Sequence, residues 1–299
     1  MMNIGFIGGG NMSTAIFKGI LKNDDQPAPV IWVSGPNLEN LQHWLELGAH
    51  ITNKNGELLS VCQLIFLGVK PGMLNTAIQD CLNTCSVDLV VNKNITFVSM
   101  LAGISIEQLH KALKMLPVKY SVIRIMPNTP MAVGAGSCMY TTDVNISQEQ
   151  CNMLEKLLRG CGICEKIPES LMNSLGTLTA CGPAFIYIII EALADGAVKQ
   201  GCPRALALRH AAQMVMGSGK MVLQSGKHPG LLKDDVCSPG GTTICGVTAL
   251  ENGRIRYLYK NIIQLRRRYY SAQVYAQTQV HSLFLSLSYS GGTTTRHDR

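Results

Sequence analysis

Residues 3–13, Asn-Ile-Gly-Phe-Ile-Gly-Gly-Gly-Asn-Met-Ser, constrain this chain more than any other stretch. A short apolar run of strand type enters a triple-glycine turn, and a helical pattern begins near Asn11. Gly8 permits the tight bend, Gly10 leaves the backbone open to a pyrophosphate, and a small residue at 13 lets helix and strand pack closely. The spacing is Gly8-x-Gly10-x-x-small, with Ser13 where the dinucleotide fingerprint carries Gly or Ala. Unpaired first-turn N–H groups and the positive end of the helix dipole favour an anion at that turn. The stretch therefore predicts a bound dinucleotide phosphate.

Val30–Val33, Ala49–Thr52, Leu64–Val69, Ile95–Met100 and Tyr120–Met126 read as further strands, separated by helical segments. That alternation predicts an α/β fold with a parallel sheet. Ligands lie outside the carboxyl ends of such strands, which puts Lys70, Ala102 and Asn128 on the binding edge. The second strand ends Ser34-Gly35-Pro36-Asn37, without the carboxylate that grips the adenosine ribose of NAD. Nothing there repels a 2′-phosphate and no arginine clamps one, so NADPH is the expected donor and NADH stays possible.

From Glu169 onward the strand pattern stops. Pro183–Gln200, Arg204–Gln224 and Thr242–Asn252 read as helices. Phe185–Val198 is apolar on nearly every face, and a helix of that kind must be surrounded. The stretch 168–253 is too short to surround it alone, so a homodimer or higher homo-oligomer is expected. The domain reading is 1–167 for the dinucleotide-binding domain, 168–253 for a helical substrate and dimerisation domain, and 254–299 for a basic tail.

The formal charge of +7 falls wholly within residues 254–299, leaving a net-neutral body with no obvious excess of charge for a polyanion. No nucleic acid is expected. All eleven cysteines precede residue 254, their number is odd, and no leader pattern precedes the first strand, which points to a reducing compartment and, by default, the cytoplasm. Cys161-Gly-Ile-Cys164 has redox-dithiol spacing but follows a helical stretch, outside the strand–turn–helix such dithiols use. The most apolar run, Ala184–Ile190, is stopped by Glu191, short of the roughly 20 residues that span a bilayer. Neither a membrane span nor a metal site is expected.

Val236-Cys-Ser-Pro-Gly-Gly-Thr-Thr-Ile244 is a second helix start suited to an anion. Ser238 or Thr242 can cap it, and the N–H groups of Gly241, Thr242 and Thr243 can point at a carboxylate. Together with Gly5–Ser13, Val69-Lys-Pro71, Met126-Pro-Asn-Thr-Pro130, Cys181-Gly-Pro-Ala-Phe185 and Glu191–Ala197, this segment resembles pyrroline-5-carboxylate reductase, in order, over residues 3–253.

The resemblance implies a Rossmann-type dinucleotide-binding domain followed by an all-helical dimerisation domain. It also implies reduction of 1-pyrroline-5-carboxylate, a small imino acid, to L-proline. Its cofactor loop falls on Ile7, Gly8, Gly9, Gly10, Asn11 and Met12, and its adenosine-side contacts on Ser34, Asn37 and Asn55. The nicotinamide side falls on Val69, Lys70, Pro71, Met100, Leu101 and Ala102, and the proline-binding positions on Glu169, Thr242 and Thr243. Three departures stand out. The family's Ser-Gly-Ser-Gly-Pro-Ala is Thr179-Ala-Cys-Gly-Pro-Ala184, an Asp before it is Asn173, and an Asn that approaches the cofactor in some members is Asp235. A carboxylate at 235 weakens phosphate binding unless it turns away.

The chemistry asked of such a site is hydride addition at an imine carbon, so catalysis is mostly placement. The carboxylate would sit on the Thr242 and Thr243 amides, and the ring nitrogen near Glu169, whose charge favours the iminium. Two rival readings remain: another two-domain NADP-dependent reductase of a small carboxylate substrate, or a catalytically impaired form that binds cofactor only. A β-hydroxyacid dehydrogenase needs a lysine on the first helix of the second domain, and that helix offers none before Lys199. Beyond Arg254 composition, charge and cysteine usage switch together, as in a spliced or frame-shifted end joined to an intact core. Tyr257–Tyr270 can also be read as a basic substitute helix, and residues beyond about 275 are expected to be disordered.

Overall fold

The computed structural model describes residues 2–23 and 28–263. By internal contacts the chain forms two compact units, Met1–Pro183 and Ala184–Arg299.

The first unit is built on an eight-stranded sheet. Its strands are β1 (Asn3–Ile7), β2 (Val30–Ser34), β3 (His50–Thr52), β4 (Leu64–Leu67), β5 (Asn94–Ser99), β6 (Lys119–Met126), β7 (Gly136–Thr142) and β8 (Gly162–Lys166). Their order is β3-β2-β1-β4-β5-β6-β7-β8. The first six are parallel, as the alternation predicts. β7 runs antiparallel to β6, and β8 parallel to β7. These last two strands are not legible as such: the chain turns back through the 3-10 helix Thr129–Val133, closed by Gly134 at φ 77°, and β8 carries alternate exposed residues on an edge.

The connecting helices are α1 (Asn11–Leu21), α2 (Gln42–Glu46), α3 (Asn55–Val61), α4 (Leu74–Thr84), α5 (Val87–Val90), α6 (Ile106–Leu113) and α7 (Gln148–Leu158). Period-two alternation inside wholly apolar strands sends residues to opposite faces. Ile4, Phe6, Leu64, Phe66, Ile123 and Ile125 pack beneath α1 and α7, with Trp44, Phe17 and Leu154. Ile7, Ile65, Leu67, Phe97 and Val122 pack on the other face with Leu58, Ile78 and Leu109. Each such fully buried side chain contributes about 1.5–3 kcal/mol, so both faces must stay covered.

One long helix, α8 (Glu169–Lys199), begins in the first unit and carries Pro183 in its interior. The sequence reading starts this helix at Pro183. The structure corrects that, because the carbonyl of Thr179, which loses its helical donor at Pro183, accepts a hydrogen bond from Asn128 Nδ2 at 3.1 Å. The helix is therefore also long and apolar enough to cross a membrane, with a mean hydropathy of 1.7 over its most apolar window, unlike the short run ending at Glu191.

In the second unit α8 continues, followed by α9 (Arg204–Ser225), α10 (Pro229–Val236) and α11 (Thr242–Asn252); α10 is not foreseen from sequence. Ala194, Ala207 and Ala211 bury a small α8–α9 contact with Ile190, Ala197 and Val198. Tyr187, Ile188, Met216, Leu223 and Leu231 remain exposed. The backbone is helical again over 255–263, and the rest of the tail, including everything beyond 275, lies outside the described residues.

Candidate active site

β1 delivers the chain into a turn at Gly8, whose φ of 99° disfavours any residue with a Cβ. A Cβ there would also lie 2.9 Å from the Gly68 carbonyl. Gly8 donates to the Ser34 carbonyl at 2.9 Å and Gly68 donates to the Ile7 carbonyl at 2.8 Å, so the ends of β1, β2 and β4 are tied together. Gly9 sits against Leu41 and Trp44, whose indole N–H donates to the Gly9 carbonyl at 3.2 Å. At Gly10 nothing lies within 4 Å of where a Cβ would be. α1 starts there with no side-chain cap, so the amides over Asn11, Met12 and Ser13 meet no protein side chain at this cap. This is the open cradle a pyrophosphate requires, and the residues fit a dinucleotide.

Ser13 explains its own departure from the fingerprint. Its buried hydroxyl donates to the Gly8 carbonyl at 2.6 Å and lies where a Cβ on Gly68 would come within 2.2 Å. A serine is tolerated because its partner strand turns at glycine.

On the adenosine side the three predicted residues have partners of their own. Ser34 is fully buried and donates to Asn55 Oδ1 at 2.7 Å, and Asn55 Nδ2 donates to the Ala77 carbonyl. Asn37 Oδ1 accepts the Glu39 N–H, capping the following turn. Ser34 and Asn55 thereby tie the end of β2 to the start of α3, and Asn37 is exposed. Val69, Lys70 and Pro71 follow β4, with Lys70 exposed; Met100, Leu101 and Ala102 follow β5, Leu101 buried, with the Met100 methyl beside Gly68.

Glu169 opens α8, half-exposed, against the buried Arg124. Its Oε1 accepts from Arg124 Nη1 at 3.0 Å and from the Ile106 N–H at 3.0 Å. Arg124 Nη2 donates to Asn173 Oδ1 at 3.1 Å. Arg124 is missed by motif reading. The signal is a cation inside Val122-Ile-Arg-Ile-Met126, a strand that otherwise excludes water.

In the second unit α11 begins at Thr242 on Gly241, with no side-chain cap, so neither Ser238 nor Thr242 caps it. Ser238 instead supplies its carbonyl to the Gly241 N–H at 3.1 Å, and its hydroxyl fills the place of a Cβ at Gly241, within 2.2 Å. Gly240 takes φ 68° to make the bend. Thr242 and Thr243 are exposed, and the first-turn amides meet no side-chain acceptor at this cap. Asp235 pairs with Lys227 at 2.9 Å, which neutralises the carboxylate that the sequence sets near this turn.

Cys161 and Cys164 are not a working dithiol. Cys161 is buried with its thiol pushed up to about 12, and Cys164 faces Cys138 across the β7–β8 register. Among the described residues no group of His, Cys, Asp and Glu could hold a metal ion.

A model for pyrroline-5-carboxylate reductase dimerisation matches residues 169–270, and one for NADP oxidoreductase, coenzyme F420-dependent, matches 3–92. Pyrroline-5-carboxylate reductase 3 of Danio rerio is 40% identical over 255 residues, 85% of this chain and 85% of that protein. This chain belongs to the pyrroline-5-carboxylate reductase family. Pyrroline-5-carboxylate reductase 2 of Bos taurus is 35% identical over 88% of this chain and 81% of its own length. Among solved structures, Plasmodium falciparum pyrroline carboxylate reductase with NADP bound superimposes with a TM-score of 0.78 at 27% identity, covering 91% of this chain and 97% of that one. The Streptococcus pyogenes 1-pyrroline-5-carboxylate reductase does so at 0.73 and 30% identity, over 89% and 98%. The family assignment accounts for both halves of this reductase, the dinucleotide cradle of the first unit and the apolar helices of the second.

Proposed function

We propose that this reductase converts 1-pyrroline-5-carboxylate to L-proline with NADPH as donor, working in the cytoplasm as a homodimer whose apolar α8 and α9 faces cover each other. The observation that carries the reading is that both motif helices, α1 and α11, start uncapped on a glycine, Gly10 and Gly241, which carries no side chain over the first-turn amides, whereas the other uncapped helices α2, α3, α4, α5 and α9 start on residues that carry one. Those two first turns are left for ligands, one for a pyrophosphate and one for a carboxylate.

The reduced nicotinamide supplies the hydride when bound. The chain supplies placement. Gly8 to Met12 hold the phosphates, and Ser34, Asn37 and Asn55 form the adenosine side, where no carboxylate opposes a 2′-phosphate. Val69, Lys70 and Pro71, with Met100, Leu101 and Ala102, flank the nicotinamide half at the ends of β4 and β5. The amides of Thr242 and Thr243 hold the substrate carboxylate. Glu169 meets the protonated ring nitrogen and favours the iminium, so no general acid is required. The eleven free thiols suit a reducing compartment. Exposed Tyr187, Ile188 and Leu223, and a helix with so little of its apolar window buried in its own chain, support a partner copy over α8 and α9.

The test follows NADPH consumption with and without 1-pyrroline-5-carboxylate, with proline measured as product, and sedimentation of the same sample. Substrate-dependent oxidation and a species of at least twice the chain mass are expected. Cofactor binding without turnover would leave a binding protein only.

A further inference from the structure

Arg124 is a buried cation that neither the cofactor cradle nor the carboxylate turn accounts for. It lies mid-β6 beside Ser99 and Thr141 in the sheet register and is 3% exposed. Its two terminal nitrogens go to two residues one helical turn apart at the start of α8, Nη1 to Glu169 and Nη2 to Asn173. Its Nε has no hydrogen-bond partner among the described residues. Arg124 is buried while the Glu169 side chain is 37% exposed, and such a pair adds little to stability, because desolvation of the guanidinium offsets the attraction. A guanidinium is distinctive in gripping two acceptors in a fixed plane, which a lysine cannot do.

Glu169 Oε1 is shared further with the N–H of Ile106, the first residue of α6. The chain reaches Ile106 directly from β5 through Met100–Ser105, which contains the proposed nicotinamide-side residues. One carboxylate oxygen thus ties β6, α6 and α8 together, while Oε2 accepts from none of these donors.

We infer that Arg124 is a positioning residue for the imino-acid substrate: its fork fixes Glu169 and the first turn of α8, so the carboxylate meets the ring nitrogen in one orientation, in register with the segment after β5. This rests on the functional reading above. Arg124 touches neither substrate nor cofactor and acts through Glu169.

The test compares Arg124→Lys, Arg124→Met, Glu169→Gln, Asn173→Ala and the double variant Arg124→Met with Glu169→Gln, each by separate KM values for NADPH and 1-pyrroline-5-carboxylate, kcat and melting temperature. Arg124→Met is expected to raise the imino-acid KM more than about tenfold and to lower kcat, with the NADPH KM changed less than about twofold. Arg124→Lys should recover only part of this, since one ammonium cannot hold both acceptors. Asn173→Ala, at an exposed position, keeps the fold and should show a smaller shift of the same kind. The double variant should be no worse than Glu169→Gln alone, because both changes remove one device. Equal losses in both KM values, or losses that multiply in the double variant, would overturn the inference and leave Arg124 a structural residue. A wild type without substrate-dependent turnover defeats the functional reading and this inference together, whereas an active wild type with an unchanged Arg124→Met defeats only the inference.

Discussion

Asn128 donates from Nδ2 to the Thr179 carbonyl, the acceptor that Pro183 leaves without a helical N–H four residues on. Its Oδ1 accepts the Ser137 N–H at 2.9 Å, so a single buried amide supports both β7 and the proline-bearing turn of α8. Asn128→Ala should cost about 1–3 kcal/mol, since two backbone groups lose their partners. Adding Pro183→Ala restores a donor to Thr179 and should recover about 1 kcal/mol, an effect absent when Pro183→Ala is made alone. Urea unfolding at one fixed protein concentration reads the cycle.

Gly10→Val tests the phosphate cradle with little structural ambiguity. Nothing in the chain lies within 4 Å of the new Cβ, and the local φ of −74° suits any residue. Melting temperature should therefore hold to within a few degrees while NADPH affinity falls by about a hundredfold or more. Isothermal titration with NADPH measures it, and retained affinity would move the phosphate elsewhere.

Thr242→Pro tests the carboxylate turn. Thr242 is the first residue of α11, where proline is favoured, and Gly241 before it is extended at ψ 171°, as a residue preceding proline should be. The change deletes one outward N–H and leaves the helix intact. The imino-acid KM should rise by about tenfold, the worth of roughly one charge-assisted hydrogen bond, with circular dichroism and the NADPH KM unchanged.

Three buried thiols set an alkaline limit. Burial pushes Cys62, Cys81 and Cys161 from 9.0 up to about 12; Lys93 opposes this at Cys62, and Asp80 and Cys164 add to it at Cys81 and Cys161. Below pH 9 folded and unfolded chains both keep these protons, and stability does not depend on them. Between pH 9 and 12 the unfolded chain releases protons that the folded chain retains, so stability falls as pH rises, by about 1.4 kcal/mol per unit for each thiol. Unfolding midpoints measured from pH 8 to 10.5 should drop above 9, and Cys62→Ala should flatten the slope. The exposed thiols of Cys202 and Cys245 should alkylate first in the native protein.

Two helix starts, six parallel strands and the switch to helices after Glu169 were determined locally and could be read from the chain. A glycine turn after an apolar strand has few conformations, and period-two burial follows from the pleat alone. β7 and β8 were decided elsewhere. Gly162, at φ 127°, packs against Gly136 so closely that a Cβ would fall 2.2 Å from its carbonyl, a pairing across 26 residues that no window in the sequence displays. The passage of α8 through Pro183 likewise needed Asn128, 51 residues upstream, to satisfy a carbonyl that local propensity counts as lost. Glu169 was legible as a residue by resemblance, but its donors Arg124 and Ile106 come from two other elements, β6 and α6. Which donors meet at one oxygen is a property of packed distance, and hydrogen bonds of about 3 Å are realised only once the sheet has brought β6, α6 and α8 together.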